Sequence, residues 1–362
     1  MKKIVIDGAI FGFENAGGNS RFWAEVLLGL DQEFAASHPL HLLMPPNTNV
    51  EWERIRSHLR YIKVEKRRPI VQKSKGYLRE SLYLTRIALK LRPWVWHASH
   101  YVGLPLKFYM HIVHSFYDMI PEVLGVASKD ETYLKYRCLK GADTILSISN
   151  HSKRDLTSIW PHFSQKTRVI HLSAGHENDE KECQKFDVPH PYFLFIGKRG
   201  GYKNFLTILE QLLPDSRFSL YHIVVVGGRG GFSSEEEDRI EELRGEERVH
   251  YVGTLPQKEV NFLIKGASAL LYPSIYEGFG LPVLEAFMHR VPILACNCSS
   301  IPEITGKKYP LADPNDPTTF SSVLAELLND KERWVTHGDE RKKHFSHQKM
   351  INAIRDVYTM RK

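Results

Sequence analysis

Residues Tyr272–Pro292 read YPSIYEGFGLPVLEAFMHRVP, and two glutamates, Glu277 and Glu285, stand eight positions apart in this apolar run. The stretch divides into three parts. ALLYPS, which leads into it, is a short apolar β pattern, and YEGFG is a turn. PVLEAFMHR has helical spacing, with Pro282 at an early helical position where a missing N–H does no harm. Glu285 then falls in the first helical turn, where an acid complements the helix dipole by roughly 0.3–1 kcal/mol. Glu277 precedes the helix and has no such structural reason. A carboxylate placed there is suited to accept hydrogen bonds from hydroxyl groups. Strand, glycine turn and helix in this order form the repeating unit of a parallel α/β sheet, whose ligands bind beyond the carboxyl ends of the strands.

The same unit recurs outward in both directions. KIVIDG, LHLLMP, WVWHAS, HIVHSFYD, DTILSIS and RVIHLSAG read as strands, separated by helical patterns that include DETYLKYRCLKGA and HSKRDLTSIW. A polar stretch over 176–191 reads as a linker, and the alternation restarts with YFLFIG, YHIVVVGG, RVHYVG and ALLYPS. Strands alternating with helices imply right-handed βαβ units. The expectation is an α/β protein with two doubly wound, Rossmann-like domains facing a cleft. Their expected bounds are 1–187 for the N-terminal domain, 188–345 for the C-terminal domain and 346–362 for a final helix.

The chain has 362 residues, enough for two domains, and its 42% hydrophobic and 25% charged residues are a globular composition. No apolar run reaches membrane-spanning length, and MKKIVIDGAIFGF reads as a first strand rather than a signal peptide. Four cysteines (Cys138, Cys183, Cys296 and Cys298) give neither a disulfide framework nor a CxxC metal pair, and Cys296 and Cys298 read as strand packing in PILACNC. These features suit a cytoplasmic protein. Net charge is +7 and unevenly placed: Arg54 to Arg92 holds thirteen Lys and Arg against Glu65 and Glu80. Within it lies an amphipathic helix, with Leu84, Ile87, Ala88 and Leu91 on one face and Arg79, Arg86 and Lys90 elsewhere. A solvated face and docking on an anionic membrane surface both remain open for this region. Nucleic acid is not expected, because no stacking aromatics or reader motif accompany the charge.

Three further loops bear on a ligand. In FENAGGNSRFW, Gly17 and Gly18 precede Asn19 and Ser20, either of which can cap the following helix; a flexible loop and an anion site at the helix start are both open. FLFIGKRGGYKN ends a strand at Gly197 and sets Lys198, Arg199 and Lys203 around two glycines, an anion-site pattern that is not a P-loop. VVVGGRGGF serves equally as a tight turn or as a backbone-lined wall, and it misses the dinucleotide fingerprint.

Taken together, these residues resemble the family-4 retaining glycosyltransferases (glycosyl transferases group 1), which have the twin-Rossmann GT-B fold. YPSIYEGFGLPVLEA resembles the family's Glu-x7-Glu segment. AGGNSRFW, YDMIPE, ILSISNHSKRDL, GKRGGYKN and SSIPEITG resemble its other landmarks, in the family's order. The resemblance implies a sugar moving from a nucleotide-diphosphate donor to a hydroxyl of a glycan acceptor; the basic N-terminal region suggests a polyprenyl-diphosphate-linked acceptor, as in surface polysaccharide (O-antigen or capsule-like) assembly, with a soluble acceptor also open. It implies no metal and no other cofactor, and a cytoplasmic enzyme working at the inner face of the cytoplasmic membrane. Alternatives are a nucleotide-sugar epimerase of the same fold and a non-catalytic sugar-binding relative.

By the same resemblance, Gly17 and Gly18 would meet the donor phosphate, with Gly197 in the diphosphate loop. Arg199 and Lys203 would neutralise the leaving diphosphate. Val252 and Leu255 would border the base, and Glu285 would bind the ribose. Glu277, with Gly278, Phe279, Gly280 and Leu281, would hold the transferred sugar. The family has a histidine before the aspartate of its HD pair; here Tyr117 precedes Asp118, with His111 and His114 upstream, and either Tyr117 or a nearby histidine is the expected substitute. His97, His100 and Asp118 are the expected acceptor-side residues.

Overall fold

The computed structural model describes residues 2–13, 17–31, 34–70, 74–175, 187–228 and 230–360. Most of the stretch expected as a linker, and Cys183 with it, lies outside these residues. The chain divides into two units, one formed by Met1–Gly175 with His347–Lys362 and the other by His176–Ser346.

The first unit holds β1 (Ile4–Asp7), β2 (Leu40–Met44), β3 (Lys63–Lys66), β4 (Val95–Ala98), β5 (His111–Phe116), β6 (Thr144–Ser147) and β7 (Thr167–Val169). They form one sheet in the order β3-β2-β1-β4-β5-β6-β7, with every pairing parallel. The inner strands are apolar runs because helices cover both faces of such a sheet. β3 differs. Its sequence KVEK is mostly exposed, and it lies at the sheet edge, where charged side chains discourage further strand pairing. The sequence reading found no strand there, since neither an apolar run nor an apolar alternation marks it.

The second unit holds β8 (Tyr192–Ile196), β9 (His222–Val226), β10 (Val249–Gly253), β11 (Ala269–Tyr272) and β12 (Ile293–Ala295), parallel in the order β10-β9-β8-β11-β12. Strand order reverses beside β8, so the loops after β8 and β11 flank the switch point of the sheet. β12 ends before Cys296, which is buried and bridges to Ala312, while the thiols of Cys296 and Cys298 reach the carbonyls of Pro273 (3.2 Å) and Ser274 (3.3 Å). Only part of the segment read as a strand through Cys298 is therefore strand.

The final helix, His347–Thr359, packs on the helix Gly18–Asp31 of the first unit. Arg355 donates to the Gly29 carbonyl at 3.2 Å, and the Tyr358 hydroxyl lies 2.6 Å from His97 Nδ1. No described helix is long and apolar enough to cross a membrane.

Candidate active site

In the second unit the loop after β8 tightens into a 3-10 turn, Gly201–Lys203, before the helix Phe205–Leu212 begins. Asn204 takes a left-handed conformation (φ 57°) between them, a conformation asparagine tolerates better than most residues. The turn brings Lys203 to the loop after β11, where its Nζ lies 2.5 Å from Glu277 Oε1. The pair is nearly enclosed, with side chains 17% and 10% exposed. Tyr272, the last residue of β11, is buried beside them, with the Lys203 ammonium 5.4 Å from its ring centre. Burial, followed by the charge of Glu277 and a hydrogen bond to it, pushes the Tyr272 phenol well above its usual range. That phenol therefore stays protonated and serves Glu277 as a donor. The loops are also joined through the backbone, Ile275 N–H donating to the Tyr202 carbonyl at 2.9 Å.

The Glu277 turn is held from below by the segment after β12. Ser299 Oγ accepts from Glu277 N–H at 2.9 Å. Ser300, fully buried, places its hydroxyl 3.0 Å from the Glu277 carbonyl and 2.6 Å from that of Phe279. Gly280 has φ 108°, and an added Cβ would sit 2.9 Å from Ile301 Cδ1, so the turn needs glycine there for both conformation and space. The helix Leu281–Met288 follows, with Pro282 in its first turn and Glu285 buried one turn further in. Gly278, Phe279 and Leu281 are buried around the turn. Sequence reasoning missed Ser299, Ser300 and Tyr272; SSIPEITG had drawn notice only as a landmark.

Arg199 does something other than expected. Its Nε donates to Glu236 (2.8 Å), and its two terminal nitrogens donate to the carbonyls of Gly227 (3.0 Å) and Gly231. The guanidinium also lies over the rings of Phe232 (5.2 Å) and Tyr251 (5.1 Å). Glu236 closes a capping box with Ser233 at the start of helix Ser234–Glu242, so one carboxylate fixes both the helix and Arg199. Gly227, Gly228, Gly230 and Gly231 all have positive φ, and an added Cβ at Gly228 would lie 2.6 Å from Arg199 Nη1. Arg199 thus braces the glycine loop. Lys198, next to it, is exposed with no partner among the described residues. Gly197 (φ 117°) directly follows β8, while Val252 and Leu255 are half-buried at and after β10, whose register shifts between Tyr251 and Gly253.

In the first unit, Gly17 and Gly18 are exposed at the start of helix Gly18–Asp31. Ser20 lies inside the first turn rather than at the cap, and its hydroxyl is 3.0 Å from both the N–H and the carbonyl of Gly17. His97 is a correction: it sits within β4, 1% exposed, with Nδ1 2.6 Å from the Tyr358 hydroxyl and Nε2 3.1 Å from Ser115 Oγ. Both ring nitrogens are used in the core, which leaves none for an acceptor. Tyr117 is a second correction. Its hydroxyl donates to the Ser99 carbonyl (2.5 Å) and accepts from the Trp23 indole (2.9 Å), and burial raises its pKa far above the usual value. A buried hydroxyl with both functions satisfied is a packing element, not a stand-in for a histidine. His100 is half-buried, its ring tilted against Phe13 with centres 4.3 Å apart, with Nδ1 accepting from Tyr101 N–H (2.8 Å) and burial holding its pKa at about 3. Asp118 is half-buried and accepts from Ile120 N–H at 3.0 Å. Among the described residues, no three His, Cys, Asp or Glu side chains converge as a metal site.

Residues 177–344 match the family model for glycosyl transferases group 1. The matched residues fall within the second unit, His176–Ser346. The chain is 28% identical over 238 residues to the O-antigen chain mannosyltransferase B of Escherichia coli, covering 62% of each chain. It is 23% identical over 197 residues to the O-antigen chain mannosyltransferase RfbU of Salmonella typhimurium, covering 54% of each. These matches span less than two thirds of either relative. A crystal structure of Anabaena HepE in complex with UDP and glucose superposes with a TM-score of 0.72 at 14% identity, over the whole of both chains. That likeness shows the fold: two parallel α/β sheets in the GT-B class, the residues that match the family model lying in the C-terminal one.

Proposed function

We propose that this chain transfers a hexosyl group, mannosyl by its likeness to the O-antigen enzymes, from a nucleoside-diphosphate donor to a hydroxyl of a growing surface glycan with retention of configuration. The observation that carries the reading is the Lys203–Glu277 pair at the switch point of the second sheet, joined to a glycine turn and the buried Glu285. A nearly enclosed ion pair beside an open glycine loop is ready for exchange. Lys203 turns to phosphate oxygens, and Glu277 is released to accept hydrogen bonds from sugar hydroxyls. Glu285 holds the ribose.

Lys198 and Lys203 together offset charge on the departing diphosphate, and Arg199 keeps the glycine loop in place around it. Fixed cations aimed at developing charge supply most of the rate in such a step. They also remove the need for a divalent metal in this reading. The acceptor is read as lipid-linked because both mannosyltransferase relatives are named for O-antigen chains.

A thermal-shift series with UDP, GDP, UDP-glucose and GDP-mannose tests the donor, since a ligand of the native state raises apparent stability by mass action. The expected result is a rise with one nucleotide and a slow release of free sugar from its sugar conjugate. A nucleotide sugar that is bound but epimerised, or bound and left intact, would sink the transferase reading.

A further inference from the structure

Much of the positive charge of Arg54–Arg92 is neutralised inside the first unit. Arg54 pairs with Glu25 and Glu51, and Arg56 with Glu53. Arg67 is buried between Asp7 and Glu80, with Arg68 on the other oxygen of Glu80. Of the cations left without a carboxylate partner among the described residues, Arg60, Lys66, Lys75 and Arg92 are exposed off the helix Tyr77–Leu91, and three lie on it. Arg79, Arg86 and Lys90 are exposed there and have no carboxylate partner among the described residues. The one acid of that helix, Glu80, faces inward.

The same helix exposes leucines. Leu84, Ala88 and Leu91 are buried against the unit, yet Leu78, Leu82 and Leu89 are 66%, 48% and 53% exposed. Spacings of four and seven residues put these three in one line along the helix. Beside that line runs the segment after β4: Leu106 N–H donates to Thr85 Oγ1 (2.8 Å), and the Tyr109 hydroxyl donates to the Ala88 carbonyl (3.0 Å). This segment adds Phe108, 60% exposed, next to Leu106, 44% exposed. Single exposed apolar residues need no explanation, but a contiguous set bordered by unpaired cations does.

We propose that this face docks on the surface of a bilayer containing anionic lipid. The leucine line and Phe108 enter the boundary between headgroups and acyl chains, and Arg79, Arg86 and Lys90 meet lipid phosphates. A helix lying in the interface gains from both buried apolar area and attraction to anionic lipid. A second copy of the chain fits poorly, because a self-complementary contact would press the same cations together without counter-charge. Nucleic acid would use the cations and leave the leucines in water. The proposal stands independently of the transfer reading.

The test is co-sedimentation of the full chain with vesicles of phosphatidylcholine alone or mixed in equal parts with phosphatidylglycerol. The protein is expected on the mixed vesicles only, with partition falling about fivefold for each cation removed in Arg86→Gln and Lys90→Gln. Leu82→Asp with Leu89→Asp should abolish binding while circular dichroism and melting stay those of the parent. Leu220→Asp, at a leucine 79% exposed in the second unit, should leave partition unchanged. Partition onto neither vesicle, equal partition onto both, or partition indifferent to the leucine changes would overturn the proposal. So would a dimer in sedimentation velocity that the leucine changes disperse, or retention of a fluorescent RNA that only the cation changes release. Donor hydrolysis measured in the same samples reports separately on the transfer chemistry.

Discussion

Lys203 and Glu277 set each other's charge environment, so replacing one changes two things. In Lys203→Ala the diphosphate of the proposed donor would lose a cation, and Glu277 loses the partner 2.5 Å away. Turnover is expected to fall by about 10²–10³-fold, the usual effect of removing one fixed donor to developing charge. Stability should fall by roughly 1–3 kcal/mol, between the values for exposed and fully buried pairs. Lys203→Arg should recover most of the stability; steady-state kinetics beside a melting curve check both, and normal turnover in the alanine variant would refute the assignment. At the other end of the chain's chemistry, three histidines of the first unit are kept neutral. His97, His100 and His114 all have lowered pKa values, chiefly through burial, with His100 at about 3 and His114 at about 4. Below pH of about 6.5 the unfolded chain takes up protons that the folded chain refuses. Stability is therefore full above that pH and declines as pH falls toward 4. His114, stacked on Tyr101 at 5.0 Å with Nε2 buried and unpaired, is the group to change. His114→Phe should flatten the fall in melting temperature between neutral and mildly acid pH; an unaltered slope would remove His114 from the account. The placement of Glu277, Glu285 and Lys203 beside glycines and strand ends could be read from sequence because that spacing is local. The fates of Arg199, Tyr117 and His97 could not, because their partners lie far along the chain.

At the scale of elements, the Glu277 turn depends on a neighbour that is remote in sequence. Ser300 Oγ reaches two carbonyls of the turn, and Ser300→Ala would strand them in a buried place at about 1–3 kcal/mol. The expected signature is a donor KM that rises more than kcat falls, since in the proposed reaction the turn holds the sugar while Lys203 acts on the leaving group. Equal KM for parent and variant, with only stability lowered, would make Ser300 purely structural. Most strands and helices were legible because buried parallel strands are apolar runs and the helices between them carry the 3.6-residue period. β3 was not legible, its edge position having replaced apolar residues with lysine and glutamate.

For the molecule as a whole, the C-terminal helix belongs with the N-terminal residues. Ending the chain at Ser346 would remove Tyr358 from His97 and Arg355 from Gly29, and would uncover the apolar face of helix Gly18–Asp31. The first unit should then become labile while the second keeps its protection, a pattern that hydrogen exchange or limited proteolysis reads directly. Equal protection of both units in the truncated chain would show that the helix is dispensable. By itself the sequence determined the alternation of strands and helices, the two parallel sheets, and the glycine-framed carboxylates and cations of the second unit, because all of these rest on spacing within a few tens of residues. Only the tertiary structure decided which charges are spent. It buried Arg199 against Glu236, closed Tyr117 and His97 into the core, paired off Arg54, Arg56, Lys63, Arg67 and Arg68 of the basic region, and left Lys198 and the Leu78–Leu89 face in the open. Spacing fixes where a side chain begins; its partner, and so its chemistry, is set by whatever the fold brings within 3 Å or so of its tip.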